Sequence, residues 1–106
     1  MRSTHMNHVR IATYDVTHGT AKDIAEVALG PGGTRDIFTA QPGFRAFSLI
    51  EVDPVTMISI TVWETHEEAE AATRAAAEFV AEHLDGRLHR TANLVGDAMF
   101  WEGAGQ

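Results

Sequence analysis

The chain has 106 residues, a formal charge of −7 from 15 Asp and Glu against 8 Lys and Arg, and no cysteine. A chain of this length, without a linker or a shift in composition, builds one modest hydrophobic core. The missing cysteines exclude disulfides, thiolate nucleophiles, iron–sulfur clusters and Cys-ligated zinc and fit a cytoplasmic location, while the acidic balance argues against nucleic acid or an anionic membrane as partner.

The opening residues, MRSTHM, contain no apolar stretch of the signal-peptide kind and read as an expression-vector remnant with Met6 as the natural start. A single domain is expected over residues 6–103. In HVRIATYDVT, residues 8–17, one set of alternating positions is Val9, Ile11 and Thr13 and the other is Arg10, Ala12, Tyr14 and Val16. Both sets are mostly apolar or amphipathic, which predicts a strand covered on both faces. Thr20 with Asp23 makes an N-cap pair, and Ile24, Val27 and Ala28 supply the apolar stripe of a first helix. The run Gly30-Pro31-Gly32-Gly33 breaks that helix, and a second piece is expected over Thr34 to Ala40. No Gly-Lys-Ser/Thr follows the glycines and no strand precedes them, so they do not form a phosphate loop.

Pro42-Gly43 leads into a strand, FRAFSLIEV at 44–52, and Asp53-Pro54 turns it into a return strand, VTMISITVW at 55–63. Thr65 and Glu68 form a capping box for a third helix. Ala69, Ala72, Ala76, Phe79, Val80 and His83 share one face of it, with the carboxylates at 64, 67, 68, 70, 78, 82 and 85 making a solvated face. Gly86 is the expected stop, and TANLVGDAMFW, 91–101, reads as the last strand. The order β-α-β-β-α-β predicts a ferredoxin-like α+β sandwich, an antiparallel sheet with its helices on one face. Because the strands are apolar on both sides, the bare sheet face would stay in water unless a second copy covered it, which predicts a homodimer.

The segments PGFRAFSLIEVD and ISITVWETHEEAEAA resemble the antibiotic biosynthesis monooxygenase family, whose members are dimeric α+β barrels. The resemblance spans most of residues 8–101 and implies cofactor-free oxygenation of polycyclic aromatic phenols or anthrones. Cofactor-free relatives place an Asn four residues before the strand-end Trp and many carry a His about ten after it; here these positions hold Ser59 and Thr73 around Trp63. The stretch HGTAKDI, 18–24, resembles the haem-degrading branch of the same superfamily. That branch implies an Asn on the first strand, a Trp on the third helix and a His iron ligand, and the matching positions are Ala12, Ala72 and Glu82, with His83 adjacent.

Cofactor-free oxygenation requires a substrate able to become an electron-rich carbanion, a group that manages its proton, and a dry pocket. Trp63 is expected as a pocket wall whose indole N–H could meet a substrate oxygen, or as a core residue closing a strand. Tyr14 could orient or deprotonate a phenol, and Arg10 on its face could stabilise an enolate or phenolate or form a surface ion pair with one of the many carboxylates. His83, an imidazole at a helix end, suits general-base chemistry or iron ligation, and equally a dipole contact. His66 should be solvated, and no histidine pair has metal-ligand helical spacing, so no metal is expected. The small residues Ala69, Ala72, Thr73 and Ala76, with Phe38, Phe44, Met57, Ser59 and Trp63 around them, predict a cavity for a flat apolar ligand. The expected function is a homodimeric monooxygenase acting on an aromatic or polyketide-like molecule with no tightly bound cofactor. The alternatives are a haem protein with His83 as ligand and a non-enzymatic ligand-binding or stress-related dimer.

Overall fold

The computed structural model of the chain describes residues 7–102, so the vector-like start and Met6 lie outside the described residues. Seven elements follow one another: β1 (His8–Val16), α1 (Ala21–Leu29), α2 (Thr34–Thr39), β2 (Phe44–Asp53), β3 (Thr56–Trp63), α3 (His66–His83) and β4 (Leu88–Asp97). The strands form one antiparallel sheet in the order β2-β3-β1-β4, the ferredoxin-like α+β arrangement that the element order predicts. No helix among the described residues is long and apolar enough to cross a membrane.

Local chemistry sets the helix starts. Thr20 and Thr65 each accept the backbone N–H three residues on, while Asp23 and Glu68 reach back to the cap, so both boxes are closed. Each cap is worth about 1 kcal/mol. The Gly-Pro-Gly-Gly run separates α1 from α2, and Gly33 is there for space: a Cβ would lie 2.4 Å from the carbonyl oxygens of Val27 and Ala28. Gly43 combines a φ of +80° with the Glu68 carboxylate pressed against it, so both backbone shape and room require glycine.

Register decides which side chains meet. On the helix-facing side, Arg10 lies between Thr61 and Val95, Ala12 between Ser59 and Asn93, and Tyr14 between Met57 and Arg90. Two buried clusters fill the space beneath the helices, one around Tyr14, Met57, Phe79 and Leu84, the other around Phe38, Trp63 and the alanines Ala69, Ala72 and Ala76. Helix α3 packs on β1, β3 and β4, and α1 and α2 pack on β2.

The opposite sheet face carries Val9 and Ile11, Ile58 and Ile60, Ile50 and Val52, and Leu94. No described element covers it, and Leu94 keeps 65% of its surface exposed. The last strand differs from the sequence expectation. It occupies Leu88–Asp97 instead of 91–101, because its partner β1 pairs with it from Val16↔Leu88 to His8↔Asp97 and ends there. Met99, Phe100 and Trp101, expected as strand residues, are therefore exposed.

Candidate functional site

Between the sheet and the helices lies a void of ≈ 40 Å³, walled by Ile24, Phe38, Met57, Ala76, Phe79 and Leu84 among others, with Tyr14 and Ser59 the hydroxyl-bearing sheet residues of its lining. Helix α3 lines it with Ala76, Phe79 and Val80, and the short Ala76 side chain leaves part of the space between helix and sheet unfilled. The void is about the share of one water and well below the ~300–1,000 Å³ of ligand pockets. Beside it is an outer cleft of ≈ 280 Å³ lined by Tyr14, Ala77, Val80, Ala81, Asp85 and Arg90. Tyr14 and Val80 line both spaces, so together they form the partition between them.

Tyr14 is 7% exposed. Its hydroxyl accepts a hydrogen bond from Arg10 Nη2 at 3.3 Å. Arg10 is completely buried, and no carboxylate of the described residues pairs with it, so the expected surface ion pair does not form. Its Nε donates to Asn93 Oδ1 at 2.8 Å, and Asn93 Nδ2 donates to Thr73 Oγ1, which donates to the Ala69 carbonyl in turn. A polar chain thus runs from α3 through β4 to β1 and ends at the tyrosine. Four buried polar atoms have no partner in the described structure: Arg10 Nη1, Thr61 Oγ1, Trp63 Nε1 and, opposite Tyr14 on β4, Arg90 Nη1.

The structure distributes the sequence candidates in two groups. Tyr14, Phe38, Met57, Ser59 and Ala76 line the void. Trp63 is fully buried beside it, with Phe38 and Phe44 edge-on at 6.0 and 5.7 Å and with Ala72 in the same cluster. Thr73 joins through the polar chain. His83 lies elsewhere: its side chain is 54% exposed at the end of α3, against the Phe79 ring and Glu82, and it borders neither the void nor the cleft. Haem does not fit these residues, since His83 points away from the cavity and the haem-branch positions Ala12 and Ala72 carry only methyl groups.

Asn93, Arg90 and Thr61 escaped the sequence reading. Thr61 shows in the strand alternation of β3, two residues before Trp63. Asn93 and Arg90 do not, because an irregularity in β4 breaks the alternation between the partners of Thr13 and Tyr14. The fold also assembles a grouping that no spacing revealed, His8, His66 and Asp97, with ligand atoms within 4.8 Å of one another. It sits at the opposite end of β1 from Tyr14, where His8 already pairs with Asp97 and the exposed His66 with Glu70.

Neither a protein-family model nor a curated protein sequence matches the chain. Solved structures do. A protein of Chloroflexus aurantiacus J-10-fl, provisionally assigned as an antibiotic biosynthesis monooxygenase, superposes with a TM-score of 0.66 at 13% identity, over 93% of this chain and 99% of that one. SnoaB from Streptomyces nogalater, described as a cofactor-independent oxygenase, gives 0.65 at 18% identity over 95% and 99%. The ActVA-Orf6 monooxygenase of Streptomyces coelicolor, solved with the ligand Nanaomycin D, gives 0.55 at 15% identity over 92% and 94%. With the sheet order, the helix placement and these superpositions together, the chain has the fold of the antibiotic biosynthesis monooxygenases.

Proposed function

We propose that this protein is a cofactor-independent monooxygenase of a small aromatic or polyketide-like molecule, working as a homodimer. The observation that carries the reading is Tyr14, which lines both a small apolar void and an open cleft and whose hydroxyl accepts a hydrogen bond from the buried Arg10. The oxygenase description of SnoaB and the small-molecule complex of ActVA-Orf6 support it.

The chemistry asks little of the protein. A CH₂ group flanked by phenols loses a proton, and the carbanion passes electrons to dioxygen. One oxygen atom enters the new carbonyl and the other leaves as water, the substrate supplying all the electrons. Tyr14 holds a phenolic oxygen, Trp63 Nε1 donates to the oxygen that gains charge, and Phe38, Phe44 and Met57 flank the ring while water stays out. Ser59 and Ala76 leave room at the void that larger residues would fill, with Ala72 packed in the cluster beside it and Thr73 in the polar chain behind. A cytoplasmic location accords with the cysteine-free composition.

Oxygen uptake with anthrone as substrate tests the reading. Turnover should fall at least about tenfold in both Tyr14→Phe and Trp63→Phe, the loss of one preorganised donor being worth about that or more. Wild-type protein that binds anthrone and consumes no oxygen would instead leave a ligand-binding dimer.

A further inference from the structure

We propose that the ligand of this site carries a carboxylate, bound by Arg10. The inference rests on the aromatic-ligand reading above and names the class of molecule it takes. A guanidinium is charged at every pH a protein meets. Burying one without a counter-charge is among the costliest arrangements a core can hold. Arg10 is such a case: 0% exposed, bonded only to the neutral Asn93 and Tyr14, with Nη1 unpartnered. Residues 1–6 and 103–106 contain no Asp or Glu. A second copy docking on the open sheet face cannot serve either, because Arg10 lies on the helix side of the sheet with Thr61 and Trp63.

What surrounds Arg10 specifies the missing group. Thr61 is its direct cross-strand neighbour, and Trp63 is the next residue along that face of β3. Their unpartnered atoms, a hydroxyl and an indole N–H, can both donate. With the Trp63 N–H engaged by the oxygen that gains charge, Arg10 Nη1 and the Thr61 hydroxyl remain to be satisfied, and a group that only accepts can take a hydrogen bond from both. A carboxylate does so and carries the opposing charge near neutral pH, whereas a phenol must first be ionised. Its two oxygens match the fork of a guanidinium. The Arg10–Tyr14 bond is long at 3.3 Å, so a carboxylate arriving past Tyr14 from the cavity side displaces a weak contact. The Nε bond to Asn93, at 2.8 Å, keeps the fork aimed.

Calorimetry with two matched probes decides it: 4,5-dihydroxyanthraquinone-2-carboxylate and the same ring system bearing a neutral hydroxymethyl group in place of the carboxylate. The acid should bind at least about tenfold more tightly, and Arg10→Met should abolish that preference while Arg10→Lys keeps part of it. Wild-type protein gives a readout needing no variant. The ¹⁵N resonances of the Arg10 guanidinium should shift with the acid and stay in place with the neutral probe. Equal affinity for the two probes, or a guanidinium signal unmoved by the acid, overturns the carboxylate assignment and leaves the aromatic pocket standing. If neither probe binds, both readings fall; if the acid binds preferentially and anthrone is never oxidised, only the oxygenase reading falls.

Discussion

Single positions in this fold are constrained by neighbours far away in sequence. Gly43 shows it: a φ of +80° already disfavours any side chain, and an added Cβ would meet the Glu68 carboxyl carbon at 2.3 Å. Gly43→Ala should therefore cost about 1–3 kcal/mol, read as a lower midpoint in urea with an unchanged slope. Part of that loss is the α3 capping box, because Glu68 must leave the Thr65 N–H to make room. Thr65 and Glu68 announce this box in the sequence, three residues apart, since its chemistry is entirely local. The glycine that lets it close lies more than twenty residues earlier, and only the tertiary contact explains it. Arg10 teaches the same lesson about a candidate site. Strand alternation puts it on the face of Ala12 and Tyr14, yet whether that face holds a counter-ion depends on β3, β4 and α3 at once.

Among the elements, α3 governs access. The short Ala76 side chain leaves space under the helix, and Val80, with Tyr14, separates the void from the outer cleft. Val80→Ala should join the two spaces, which together reach the lower end of pocket sizes that hold drug-sized ligands. The expected result is an aromatic probe bound several-fold more tightly, at a stability cost of about 1–2 kcal/mol for the deleted methyl groups; unchanged affinity in calorimetry would show that ligands enter by another route. The α3 stripe is legible in the sequence down to Phe79 because it follows helical periodicity. It fails at His83, which turns outward, since the helix ends there and Leu84 takes the buried place beyond it. In β4 periodicity misplaces the ends for a related reason: a strand extends as far as its partner does, and β1 stops opposite Asp97.

At the scale of the whole molecule, the sheet is a wall with only one side furnished. The bare side holds Ile50, Val52 and Leu94, each among the exposed large apolar residues. A contiguous apolar face of this kind is a normal feature of surfaces that meet another protein. If a second copy covers it, light scattering should give about twice the chain mass. Leu94→Glu combined with Ile50→Glu should shift the protein to monomer, because like charges buried in such an interface lose their water and find no opposite charge. A monomeric wild type would remove the dimer from the proposal without touching Tyr14 or Arg10.

The sequence by itself determined the order of the elements, both capping boxes, the break at the glycines and the two-sided apolar strands, because each depends on residues within a few positions of one another. It also contains Tyr14, Trp63 and the alanine face as a pattern. Only the tertiary structure decided that Arg10 is buried with no carboxylate of the described residues paired to it, that Asn93 and Thr73 support it, that His83 is outside, and that the void is small. Those facts depend on register, on one irregularity in β4 and on how closely a helix approaches a sheet. Such quantities are settled by packing over the whole core and are not encoded in any short stretch of chain.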